Sequence, residues 1–164
     1  SDLKQPLLLV TDQGKEEEAI TRLSRVGYDS TVGYLNGGFA AWAAAGKQTE
    51  RIVSVSADEF EAVANADPGL LVLDVRKPGE YEAEHLESSL ARPPDYINEW
   101  TGQLDPKDTY YIHCAGGYRS MIAASILKAR GYDKVIDVAG GYGALKKTGL
   151  KRTDFACPSK AMHA

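Results

Sequence analysis

Cys114 ends an apolar run, Tyr110-Tyr111-Ile112-His113, and is followed by Ala115-Gly116-Gly117-Tyr118-Arg119-Ser120. Those residue types in that order suit nucleophilic sulfur chemistry. The apolar run reads as a strand. The glycines let the backbone fold tightly, and Arg119 and Ser120 lead into a helical stretch, Met121 to Arg130. A cysteine cupped between a strand and a helix N-terminus faces inward-pointing amides and the positive end of the helix dipole. Both favour the thiolate, which is the nucleophilic form. A lone cysteine at a strand end would read as a small buried residue. Gly116, Gly117 and Arg119 at this spacing favour the reactive reading instead. A cation at a helix start opposes the dipole, so Arg119 is read as an anion contact, its planar fork suited to oxygen anions.

The loop length narrows the chemistry. Four residues separate Cys114 from Arg119. A cysteine phosphatase cradles phosphate with a loop one residue longer, whose amides surround three oxygens. The shorter cup suits one terminal sulfur. Cys114-Ala115-Gly116-Gly117-Tyr118-Arg119, with Ser120 after it, resembles the active loop of the rhodanese family of sulfurtransferases, C-x-x-G-x-R followed by Ser or Thr. Leu71-Val72-Leu73-Asp74-Val75-Arg76 is similar to that family's buried strand ending in Asp-Val-Arg. Glu80-Tyr81, His85-Leu86, Pro93-Pro94, Gly131-Tyr132 and Val138-Ala139-Gly140-Gly141 resemble its further landmarks. Glu84, Ser88-Ser89 and Leu145 depart from its usual Gly, Gly-Ala and Trp. The resemblance covers residues 52 to 149 and leaves the sulfur-carrying loop intact.

The resemblance implies a sulfurtransferase that moves sulfane sulfur from thiosulfate or a persulfide to a thiol or cyanide through a Cys114 persulfide. Residues Ala115 to Ser120 would bind substrate. Two alternatives are a non-catalytic rhodanese-like interaction module, against which the intact Cys114 loop speaks, and a small cysteine phosphatase, disfavoured by loop length. No cofactor and no metal is expected, since the three histidines and two cysteines lack ligand spacing. The expected partners are small sulfur donors and thiol acceptors. Paired live and dead rhodanese units also resemble the end of metallo-β-lactamase-fold fusions, so such a domain is an expected neighbour in a longer chain.

Other candidates read more blandly. Asp74 and Arg76 lie at a strand end, where α/β proteins place ligands, but a structural ion pair bracing the loop is the better reading. His85 is read as a loop histidine serving backbone groups rather than a general base, and His113 is expected to face away from its neighbour Cys114. Tyr118 rims the pocket or is exposed. Gly140-Gly141-Tyr142-Gly143 reads as a turn, too short for a phosphate-binding loop.

The elements that must hold this loop alternate in type. Strands are expected at Leu7–Val10, Thr31–Leu35, Ile52–Val55, Leu70–Val75, Tyr110–His113 and Val135–Val138, with helices over Lys15–Val26, Phe39–Ala45 and after Ser56. Ser56 and Glu59 have capping-box spacing. Alternation of this kind implies an α/β fold, a parallel sheet with helices on both faces. The stretch from Ala19 to Asp29 parallels Ala123 to Asp133, with Gly27 and Gly131 an offset of 104 residues apart, and Leu35-Asn36-Gly37-Gly38 parallels Val138-Ala139-Gly140-Gly141. A tandem repeat follows. Residues 1–50 are read as a partial, inactive rhodanese-like unit, the closing half of a second domain. Residues 51–150 are read as the complete catalytic domain and 151–164 as a tail. In the first copy Val10 to Glu18 takes the place of the Cys114 loop, with no cysteine and three glutamates.

Composition fits a compact fold. The 164 residues are 43% hydrophobic and 26% charged, and the net charge of −4 argues against nucleic acid as a partner. No apolar run reaches membrane-span length, and two cysteines make no disulfide framework. A cytoplasmic setting suits a working thiol. A start at Ser1 rather than Met reads as an excised fragment.

Overall fold

The computed structural model describes residues 3–156; Cys157 lies outside the described residues. The chain divides into two compact units, Ser1–Arg51 and Ile52–Ala164. Among the described residues no helix is long and apolar enough to cross a membrane.

The first unit contains β1 (Leu7–Leu9), α1 (Glu16–Ser24), β2 (Thr31–Tyr34) and α2 (Gly38–Ala44), with β1 and β2 paired in parallel. Glu16, Glu17 and Glu18 fill the first turn of α1, where the dipole favours anions. Gly38 is the one buried residue of the two helices, and Leu8, Val32 and Tyr34 remain at least half exposed. Two strands and two short helices supply too few layers to enclose a core.

The second unit runs β3 (Val53–Val55), α3 (Ala57–Ala66), β4 (Leu71–Asp74), α4 (Pro78–Ala83), β5 (Ser89–Ala91), α5 (Ile97–Trp100) between two single 3₁₀ turns, β6 (Tyr110–His113), α6 (Tyr118–Ala129), β7 (Val135–Val138) and α7 (Gly141–Leu145). Its sheet has the order β3-β7-β6-β4-β5, parallel throughout. Alternation along the strands splits the core between the two sheet faces. Leu73 and Ile112 pack on one face with Trp100 of α5 and Ala123, Ala124 and Leu127 of α6. Val72, Tyr111 and Val138 pack on the other with Phe60 of α3 and Leu145 of α7. This is the α/β architecture expected from the alternating pattern. The Ser56–Glu59 capping box is present, the Ser56 amide donating to the Glu59 carboxylate at 2.7 Å.

One local reading changes. Gly140 to Gly143 is a helix start rather than a turn. Gly140 caps α7 with φ +77°, and α7 continues to Leu145 because Tyr142 and Gly143 donate their amides to the Cys114 and Ala115 carbonyls. The stretch between β4 and β6 holds α4, β5 and α5, none of which has a strong periodic signal. The segment after α7 is tied back to the domain over its described residues. Leu86 and Arg152 form an antiparallel bridge, Thr153 donates to the His85 carbonyl at 2.9 Å and Ala156 to that of Ala83 at 2.8 Å.

One glycine setting occurs in both units. Gly38 has φ +57° and Gly141 φ +55°, and an added Cβ would collide with the Thr11 carbonyl in the first case and the Cys114 carbonyl in the second. The Thr11 carbonyl thus meets Gly38 as the Cys114 carbonyl meets Gly141.

Candidate active site

Cys114 follows β6 at the carboxyl end of the parallel sheet, where open α/β sheets leave a crevice for ligands. The loop turns at Gly117, whose φ of +112° is open to glycine and which caps α6. That turn brings the Gly117 amide to 3.1 Å from Cys114 Sγ, donating to it. Ser120, in the first turn of α6 and fully buried, places its hydroxyl 3.6 Å from the same sulfur. The cysteine is 2% exposed. Burial pushes its thiol pKa up, but the Ser120 hydroxyl and the amides of Ser120, Gly117 and Gly116 stabilise the thiolate more strongly, so the net direction is down from 9.0. Among the described residues it is the free cysteine.

The cup is held from below by α7. The Tyr142 amide donates to the Cys114 carbonyl at 2.6 Å and the Gly143 amide to the Ala115 carbonyl at 3.0 Å. The close approach requires glycine at 141, as the collision of an added Cβ shows. Beneath the loop lies a buried ion pair. Arg76 Nη2 donates to Asp74 Oδ2 at 2.6 Å, and Nε to Oδ1 at 2.9 Å. Arg76 also donates to the Glu84 carbonyl at 2.8 Å and stacks on the Tyr142 ring at 3.8 Å. Asp74 and Arg76 thus form a buried ion pair at the strand end.

His113 is fully buried on the sheet face opposite Cys114, stacked against Tyr142, with Nε2 3.9 Å from Asp74 Oδ2. Burial lowers its pKa, against the pull of Asp74, so the ring is held neutral. His85 serves backbone: its Nδ1 lies 2.7 Å from the Tyr81 carbonyl and its ring stacks on Tyr81. Tyr118 is 81% exposed, and Ala115 and Gly116 are exposed at the loop surface.

Arg119 does meet an anion, and in this structure the anion is a protein carboxylate. Its Nη1 and Nη2 donate to Glu80 Oε2 and Oε1 at 2.7 and 3.0 Å. The arginine holds the Glu80 carboxyl down at about 2. Glu80 entered the sequence reading as a landmark without a role. Its partner is 39 residues away in the chain, and no local pattern links the two. Among the described residues no cluster of three or more His, Cys, Asp or Glu side chains could hold a metal ion.

A Rhodanese-like domain family model matches residues 56–148. The chain is 34% identical over 90 residues to the "Putative sulfur carrier protein YrkF" of Bacillus subtilis, a match covering 55% of this chain and 49% of that one. It is 30% identical over 90 residues to "Thiosulfate sulfurtransferase 16, chloroplastic" of Arabidopsis thaliana, covering 48% of this chain and 75% of the relative. The match thus spans about half the length of the Bacillus relative. Among solved structures, a rhodanese-like domain protein from Staphylococcus aureus superposes with a TM-score of 0.56 at 29% identity, covering 61% of this chain and 97% of its own. The matched segment holds β4, β6, the Cys114 loop and α7, and this chain belongs to the rhodanese-like domain family.

Proposed function

We propose that the chain is a sulfurtransferase that works through a persulfide on Cys114. The observation that carries this reading is the sulfur cup: a cysteine of lowered pKa at the N-terminus of α6, met by the Gly117 amide and the Ser120 hydroxyl. The Cys114 thiolate attacks the outer sulfur of a donor. With thiosulfate, the new S–S bond forms as the donor's own S–S bond breaks, and sulfite leaves with the electron pair. The charge now sits on the terminal persulfide sulfur, at the focus of the Gly116, Gly117 and Ser120 amides. Cyanide or a thiolate then attacks that terminal sulfur and returns Cys114 as thiolate, completing a two-step covalent cycle. Small sulfur donors and thiol acceptors are the partners this cycle needs. The loop has one residue too few for a phosphate cup, which weighs against the phosphatase reading.

The first unit is best read as an inactive copy. Val10 to Glu18 holds no cysteine, and the three glutamates of α1 would repel an anionic donor. The test of the whole reading is sulfur loading: the chain gains one sulfur on Cys114 with a donor and loses it to cyanide, and Cys114→Ser does neither. Loading without release to any acceptor would favour a carrier module over an enzyme.

A further inference from the structure

Arg119 is the cation of the Cys114–Ser120 loop, and its guanidinium is already paired with a protein carboxylate. Each terminal nitrogen gives one N–H to Glu80 in a bidentate pair at 2.7 and 3.0 Å, the strong geometry for an arginine–carboxylate contact. The carboxylate is itself anchored. Glu80 sits in the first turn of α4, after Pro78, and its Oε2 accepts the Lys77 amide at 3.0 Å. A carboxylate at a helix start, fixed to backbone, is a firm restraint on the arginine. The pair is about one-third exposed, 30% for Arg119 and 35% for Glu80, so an incoming donor meets it. Arg119 also lies within the field of Cys114, whose negative charge helps hold the guanidinium protonated.

The charges decide what such a mouth admits. Cys114 as thiolate and Glu80 as carboxylate are two anions against one cation. Thiosulfate brings two more negative charges, and its sulfonate approaches an arginine whose charge Glu80 already balances. An alkyl persulfide in its protonated form brings no charge at the sulfur to be attacked. We propose that Glu80 is a donor-specificity residue: by holding Arg119 neutralised it makes the site discriminate against the dianionic donor thiosulfate in favour of an alkyl persulfide. This inference rests on the sulfurtransferase reading above. In the favoured reaction the Cys114 thiolate attacks the outer sulfur of R–S–SH. The new S–S bond forms, the donor's S–S bond breaks, R–S⁻ leaves with the electron pair, and the proton stays on the outer sulfur. Glu80 touches no reacting atom; it acts through Arg119 as a positioning residue.

The test uses the full chain and two probes, thiosulfate and cysteine persulfide, with cyanide as acceptor. Glu80→Gln keeps the side chain's shape and an oxygen for the Lys77 amide, but removes the charge. It should lower the KM for thiosulfate roughly tenfold, the factor that about 1.4 kcal/mol corresponds to. The KM for cysteine persulfide should move far less, and kcat should change little for either donor. A merely structural role for Glu80 would move both donors together. Salt gives a second readout that needs no variant. With Arg119 neutralised, added sodium chloride should leave the wild-type KM for thiosulfate level or lower it, whereas in Glu80→Gln it should raise it. An unchanged or higher thiosulfate KM in a natively folded Glu80→Gln would overturn the inference. So would equal changes for both donors, or a wild-type thiosulfate KM that climbs steeply with salt. Sulfur loading from neither donor would overturn the sulfurtransferase reading itself, and this one with it; loading with kinetics indifferent to Glu80 would overturn this inference alone.

Discussion

Removing the Ser120 hydroxyl tests whether the loop tunes Cys114 as described. Ser120→Ala deletes one oxygen from a fully buried site and leaves the backbone amide in place. The hydroxyl has one proton and two acceptors, the Cys114 sulfur at 3.6 Å and the Gly117 carbonyl at 3.0 Å. With the thiol protonated, the carbonyl is the better partner. When the thiolate forms, the proton can turn to the sulfur, gaining a bond to a charged group of about 1.5–3 kcal/mol and giving up a neutral one of about 0.5–1.5 kcal/mol. The difference, about 1 kcal/mol, favours the thiolate and is lost with the hydroxyl. Ser120→Ala should therefore raise the Cys114 pKa, still leaving amide donors at the sulfur. The assay is the rate of iodoacetamide alkylation of Cys114 against pH, followed by mass spectrometry. Reaction requires the thiolate, so the rate falls as pH drops through the pKa. In Ser120→Ala that acid limb should move to higher pH, and the acid limb of sulfur transfer should move with it. An alkylation profile unchanged in Ser120→Ala, or shifted to lower pH, would refute the assignment of the hydroxyl to thiolate stabilisation.

Three further outcomes are expected. Asp74→Ala leaves the 5%-exposed Arg76 without its carboxylate and should cost about 3–5 kcal/mol in urea denaturation, whereas replacing both partners with apolar residues of similar volume should cost much less. Burial depresses the His113 pKa below 6.5, so the unfolded chain binds a proton that the folded one refuses; stability should fall as pH drops below about 6.5, and His113→Gln should flatten that slope in denaturation curves taken from pH 7 to 5. Gly141→Ala forces a side chain at φ +55° into the Cys114 carbonyl, which should displace α7 from the loop; a loss of about 1–3 kcal/mol in stability and a larger loss of sulfur transfer are expected, and native activity would show that α7 does not hold the cup.

The parts of the fold legible in the sequence are those with strong local signals. Tyr110–His113 and Val135–Val138 are strands with the bounds read from the sequence, because short runs rich in β-branched and aromatic residues favour strand. The Cys114 loop and the Asp74–Arg76 pair were readable from residue type and position. β5 was not, because Ser89-Leu90-Ala91 is only three residues long and becomes a strand by pairing with β4. α7 was not, because its glycines suggest a turn and its helix depends on amides that reach the Cys114 loop. Glu80 was visible as a residue but not as the partner of Arg119, since the pair spans separate helices, α4 and α6. The sheet order likewise depends on long-range packing that periodicity does not encode.

The central claim is that Cys114 carries sulfur. The direct measurement is the intact mass of the full chain after treatment with excess thiosulfate or cysteine persulfide, with peptide mapping to place any added sulfur. The account predicts a gain of one sulfur atom on Cys114, removed by cyanide, absent from Cys114→Ser and retained in Cys157→Ser. No gain from either donor, or a gain that persists in Cys114→Ser, would contradict it.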